Sequence, residues 1–221
     1  MKSYKLTYAR LAIMTRYNTL FCPFDLRDFC RALVKQGYVL TDEAMKIPFG
    51  AVVRRPTKVG NRGEFAIIIA ADGNAIVLEG PSPSLTLEET KKIDSMLRAD
   101  LDFDQADLIA YREFSVQLAV KSKENAVATW RNHLVEAPIF VQLSEVFGQP
   151  VSPYSISFGP VDGDPTQSEW YDMRIGPLIR PGLDHLLIEA VYRHQESSKV
   201  LEFVGRFENI VKDTLTAIEQ G

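Results

Sequence analysis

The sequence predicts an α+β protein: an antiparallel sheet with helices packed on one face, closed by a long amphipathic C-terminal helix. Three observations carry that expectation. In EFAIIIAADGNAIVLEG two β-rich runs flank Asp72-Gly73-Asn74, a turn whose glycine and asparagine accept positive φ at little cost. Strands joined so tightly pair antiparallel. Helical stripes fall between the strand-like runs, so the helices must bury them against the sheet. Finally, Val200, Phe203, Val204, Phe207, Val211, Leu215 and Ile218 keep helical spacing after Ser197 or Ser198.

Taken in order, YKLTYARLAIMTRY (residues 4–17) is rich in Tyr, Thr and aliphatic residues in loose alternation and predicts a long strand. After a Cys-Pro break, DLRDFCRALVKQG sets Leu26, Phe29, Cys30, Leu33 and Val34 on one helical stripe and stops at Gly37, suited to a left-handed helix end. A short strand is expected over 49–55, followed by the hairpin. Thr86 and Glu89 stand at capping-box spacing ahead of Leu87, Ile93, Met96 and Leu97, which predicts a helix to about Arg98. Residues 107–121 predict a second long strand. A helix from Ser122 follows, with Ala126, Val127, Trp130 and Leu134 on one side. Pro138 and Gly148 delimit a short extra helix, and strands are expected at 153–159, 169–179 and 184–194.

Residues 1–104 therefore read strand, helix, three strands, helix, and residues 105–221 repeat that order with one added helix. The two halves are expected to share one continuous sheet. Element order alone suggests an internal duplication; chance repetition of a short pattern accounts for it equally well.

Composition narrows the function classes. With 221 residues, 46% hydrophobic and 24% charged, the chain has an ordinary globular makeup. A net charge of −4 provides no general attraction to nucleic acid. No apolar run approaches the roughly 18 residues of a membrane span, and MKSYKLTYARLAIM lacks the unbroken apolar core of a signal peptide. A soluble, cytoplasmic protein is the expectation. Cys22 and Cys30 are eight apart with no second ligand pair, so Cys30 reads as core, Cys22 as a loop thiol, and no metal or cofactor is expected.

The hairpin carries a further implication. FAIIIAA and AIVL are apolar on both parities, whereas a strand with one wet face alternates. Helices can cover one side. The other needs a second layer, a partner or a second copy, which predicts a homodimer; closure within the monomer is the alternative.

Three sets of polar residues invite a chemical reading. In DHLLIEAVYRH, period-two geometry puts His185, Glu189 and Arg193 on one face and Leu186, Ile188 and Ala190 on the other. His185 and Glu189 are two pleats apart, roughly 13 Å, too far to share a proton or a metal, so each needs a cross-strand neighbour; Arg174 is the candidate for Glu189. Arg54, Arg55, Lys58 and Arg62 form the one concentrated basic patch, in a Pro- and Gly-containing loop able to grip phosphate but without an aromatic residue to stack a base. Asp100, Asp102 and Asp104 open like a calcium loop, yet Gln105 and Tyr111 occupy the positions that need Gly and Glu; Asp162 and Asp164 fail likewise at Met173. The expected function is a non-catalytic binding or assembly module acting through a sheet face or helix–sheet groove on a second copy, a protein partner or a small apolar ligand. Alternatives are an enzyme using His185, Glu189 and Arg174, and phosphate or nucleic-acid contact through Arg54, Arg55, Lys58 and Arg62.

Overall fold

The computed structural model describes residues 4–20, 22–47, 53, 55–70, 74–104, 107–121, 138–151, 153–178 and 184–220. Nine strands build one sheet: β1 (Leu6–Tyr17), β2 (Val39–Leu40), β3 (Thr57–Arg62), β4 (Phe65–Ile69), β5 (Ala75–Glu79), β6 (Ile109–Lys121), β7 (Ile156–Phe158), β8 (Trp170–Leu178) and β9 (His185–His194). Their order is β2-β3-β4-β5-β1-β6-β9-β8-β7, and every pairing is antiparallel. The described residues also form five helices: α1 (Leu26–Lys35), α2 (Asp42–Met45), α3 (Pro83–Leu101), α4 (Pro138–Phe147) and α5 (Ser197–Gln220). The architecture is the α+β one expected.

The long strands β1 and β6 meet at the centre, Leu6 opposite Val120 and Tyr17 opposite Ile109. Outward from this seam the order is symmetric: β5, β4, β3 on one side and β9, β8, β7 on the other. Period-two geometry then assigns the faces. Phe114, Val116, Leu118 and Val120 of β6 and Leu186, Ile188 and Ala190 of β9 are buried, while the residues between them are half-exposed. Buried residues of α1, α3 and α5 all meet this same face.

Two cores result. Around α5, the stripe Val200, Val204, Phe207, Val211 and Leu215 is completely buried against Leu11, Ile13, Phe114 and Ile188, each side chain contributing about 1.5–3 kcal/mol before entropy is subtracted. Around α1 and α3, Phe29, Leu33, Ile93 and Leu97 meet Tyr17, Val59, Ile67, Ile69 and Leu78. Between them runs a buried polar row, Thr15, Arg112 and His194, aligned across β1, β6 and β9. Arg112 reaches Asp94 of α3 at 2.7 Å. His194 Nδ1 accepts the Glu196 N–H at 2.9 Å and so ties β9 to the start of α5.

Local chemistry explains most boundaries. The Asp25 carboxylate accepts from the Arg27 and Asp28 amides at the start of α1, and Gly37 takes φ 83 beyond its end. Helix α3 starts earlier than the capping-box spacing predicts. Its cap is Ser82, with Pro83 in the first turn, and Thr86 is an internal residue whose hydroxyl donates to Ser82 O at 2.7 Å. It also runs past Arg98 to Leu101, where Asp102 supplies a left-handed end at φ 50. Gly80, between β5 and α3, has no room for a side chain: a Cβ there would collide with Thr86 Oγ1. The strand expected over 49–55 falls mostly outside the described residues; the strand found there begins only at Thr57 and includes Lys58 and Arg62, expected in a loop. The helix expected from Ser122, and Asp72 and Gly73 of the hairpin turn, also lie outside the described residues.

On the helix side of the hairpin, Ile67, Ile69, Ile76 and Leu78 are buried. On the open side Ala12, Ala66 and Ala75 are buried as well, and Met14, Val77 and Ile68 form a half-buried apolar row across β1, β5 and β4.

Candidate functional site: the groove beside the C-terminal helix

Helix α5 presents two stripes. One is the core stripe; the other, Phe203, Ile210, Thr214, Ala217 and Ile218, faces sideways over the outer strands of the second half. These residues wall a groove of about 550 Å³, whose opposite side is Phe158 of β7, Tyr171 and Met173 of β8 and Ala190 of β9. Among the described residues, Asp172 is the only charged one lining it. Phe203 is held in place by stacking on Tyr192, ring centroids 4.2 Å apart and nearly parallel, and by an edge contact to Phe114 at 6.1 Å. Phe158 and Tyr171 keep substantial exposure, which leaves the groove open along its outer side.

The corresponding place in the first half is filled. There α3 takes the part of α5, with α1 beside it over β3. Leu26, Phe29, Cys30 and Leu33 of α1 are buried; Tyr17, Phe24 and Phe103 meet edge to face at centroid distances of 5.3–6.2 Å, and Phe29 lies tilted against Phe24 at 5.0 Å. Burial pushes the Cys22 thiol up to about 12, and that of Cys30 in the same direction.

Polar residues of the second half line the open face of the sheet, opposite the groove. Register sets Arg174 directly across from Glu189, as its choice as a neighbour requires. Yet the Glu189 carboxylate accepts from Gln117 Nε2 at 3.0 Å, and among the described residues it forms no ion pair with Arg174. His185 Nδ1 sits 2.8 Å from Asp184 Oδ1, a bond that lowers the Asp184 pKa. His185, Glu189 and Arg174 are thus on one face without converging on one point. Arg193 pairs with Glu113 and lies over the Tyr111 ring.

The basic patch disperses. Arg62 turns inward to pair with buried Glu89, lies over the Tyr38 ring and donates to Gln36 O at 3.0 Å. Arg55 pairs with Glu43 at 3.1 Å, Lys58 is exposed, and Arg54 falls outside the described residues. The Glu89 network is one that sequence reasoning assigned to a cap. Its Oε1 accepts from Tyr38 Oη at 2.7 Å, and burial, followed by that bond, raises the tyrosine pKa. Among the described residues no three His, Cys, Asp or Glu side chains gather as a metal site.

Comparison of the sequence with protein-family models and with curated proteins found no match.

Proposed function

We propose that the protein is a non-catalytic binding and assembly module that takes an apolar helical segment of a protein partner into the groove between α5 and the strands β7 and β8. The observation that carries this reading is the groove's counterpart in the first half, where a helix with buried Leu26, Phe29 and Leu33 occupies the matching position. A groove of that shape and apolarity suits a helix that presents aliphatic and aromatic side chains at i, i+3 and i+4. Catalysis finds less support, because proton transfer needs groups within hydrogen-bond reach of one reacting atom, whereas His185 and Glu189 are engaged by Asp184 and Gln117. The symmetric strand order also supports descent of the two halves from one duplicated unit.

The reading is tested with the dye 1-anilinonaphthalene-8-sulfonate and an uncharged amphipathic helical peptide as competitor. The dye is expected to bind the native chain and to be displaced by the peptide but not by its scrambled form. Ala217→Phe, which fills the groove from an exposed position, should weaken both by about tenfold, equivalent to 1.4 kcal/mol. Unaltered binding in that variant would reject the groove.

A second reading, pairing of two copies through the open sheet face, is favoured by the apolar row Met14, Val77 and Ile68. It requires that Ile68→Glu convert a dimer to a monomer.

A further inference from the structure

On the open face of the sheet, one row of side chains runs in register across four strands: Arg10 of β1, Gln117 of β6, Glu189 of β9 and Arg174 of β8. Two Arg–Glu pairs on this face behave differently. Glu113 and Arg193 stand directly opposite on β6 and β9, and their charges close to 2.6 Å. Glu189 and Arg174 stand directly opposite on β9 and β8, yet the Glu189 carboxylate accepts from Gln117 on its other side, at 3.0 Å. Among the described residues Arg174 makes no ion pair or side-chain hydrogen bond, and neither does Asp172, two residues before it on the same strand. A cavity of about 450 Å³ opens at this place, where the next row puts only the short side chains of Ser115 and Val191 between the charged ones. That volume lies within the roughly 300–1,000 Å³ of small-molecule sites.

We propose that this cavity binds an acidic α-amino acid, its α-carboxylate on Arg174, its ammonium on Glu189 and its side-chain carboxylate toward Arg10. The site lies on the face of the sheet opposite the groove and stands whether or not the groove takes a partner. A guanidinium and a carboxylate that face each other without closing are joined by a molecule carrying both charges, and the planar fork of Arg174 matches two carboxylate oxygens. Gln117 keeps Glu189 turned from Arg174 and so holds the space open. Asp172, which borders both this cavity and the groove, stands diagonally across from Glu189 and adds a second negative charge for the ammonium. These two carboxylates disfavour a plain dianion, so the ammonium is part of the recognition. Arg10 enters from β1 at the far end of the row, three strand spacings from Arg174, about 14 Å at the backbone. Its pairing with Glu79, at 3.5 Å, is exposed to solvent and contributes little, which leaves the guanidinium ready for the ligand's second carboxylate.

The test is calorimetric titration of the full chain with L-glutamate, L-alanine, which lacks the second carboxylate, and glutarate, which lacks the ammonium. L-Glutamate should bind saturably at millimolar concentration, and the other two about tenfold more weakly. Arg174→Gln should weaken L-glutamate at least tenfold. Glu189→Gln, which keeps an acceptor for Gln117, should weaken L-glutamate to the same degree but leave glutarate unchanged or tighter. Arg10→Gln should bring L-glutamate down to the affinity of L-alanine. Arg10 and Arg174 are exposed and Glu189 is half-buried, so unfolding midpoints close to wild type should accompany these losses. A folded wild type without saturable L-glutamate binding would overturn the proposal, as would undiminished binding in Arg174→Gln. Glutarate binding as tightly as L-glutamate would overturn the amino-acid assignment in favour of a simple anion site.

Discussion

In the first half of the molecule the space beside the central helix is closed by α1, whose Phe29 and Leu33 are completely buried; in the second half, among the described residues, the same space beside α5 is an open groove. The strands underneath follow the same order in both halves, so the sheet does not cause the difference. The side chains offered to the space do. Helix α1 carries Leu26, Phe29, Cys30 and Leu33 on one stripe and charges on the other, so a single docking orientation buries these four together with Ala32, while Val34, expected on the same stripe, is left exposed at its edge. Helix α4 spreads Val141, Val146 and Phe147 around exposed surface and has one charge to define a wet side. A helix of the first kind completes a core, whereas one of the second kind leaves a surface for something else.

The comparison breaks most readily at Phe29. Phe29→Ala should cost about 3–5 kcal/mol in urea denaturation, whereas Phe147→Ala in α4 should stay within about 0.5 kcal/mol of wild type under monomeric conditions. Equal costs would mean that the two helices are seated alike. Next in size is Glu89→Gln. It leaves Arg62 and Tyr38 without their charged partner and should cost about 2–4 kcal/mol, somewhat below a fully buried pair because Arg62 keeps access to water. A cost under about 0.5 kcal/mol would show the network to be incidental. Smaller again is the effect of Ala217→Phe: weaker dye binding, with stability changed by less than about 1 kcal/mol since the residue is exposed.

Alkaline pH should sharpen the contrast further. Cys22, whose thiol is raised from 9.0 to about 12, and Cys30, Tyr17 and Tyr38, all raised by burial, belong to the first-half core or its border. Above pH 9 the unfolded chain loses the Cys22 proton while the folded chain keeps it, so unfolding gains free energy as pH rises toward 12. The contribution is complete below pH 9 and lost through that window. Hydrogen exchange followed upward from pH 9, corrected for its intrinsic pH dependence, should show amides of α1 losing protection before those of α5; the reverse order would refute the assignment.

How far the sequence could be read depended on whether the deciding interaction was local. The repeat in α5, the alternation in β6 and β9 and the pairing of β4 with β5 concern residues a few positions apart, and burial follows that pattern through His185, Glu189 and Arg193 on one face and Ile188 on the other. Ser82-Pro83 and Thr86-x-x-Glu89 are both acceptable helix starts by local rules. What separates them is Arg62 and Tyr38, which draw Glu89 inside. Strand β3, TKVGNR, has little apolar alternation and is a strand because β4 pairs with it. The groove was invisible for a stronger reason: its lining comes from β7, β8, β9 and α5, spread over 158–218, and no short pattern marks such a meeting.

By itself the sequence determined the fold class, the inner face of β9 and the stripe of the terminal helix, because hydrophobic periodicity ties side-chain direction to backbone geometry. Only the tertiary structure decided the pairing of β1 with β6, the inward turn of Arg62, the separation of His185 from Glu189's partners and the empty seat beside α5. These depend on which distant residues arrive opposite one another, a matter of register and chain path that no residue encodes alone.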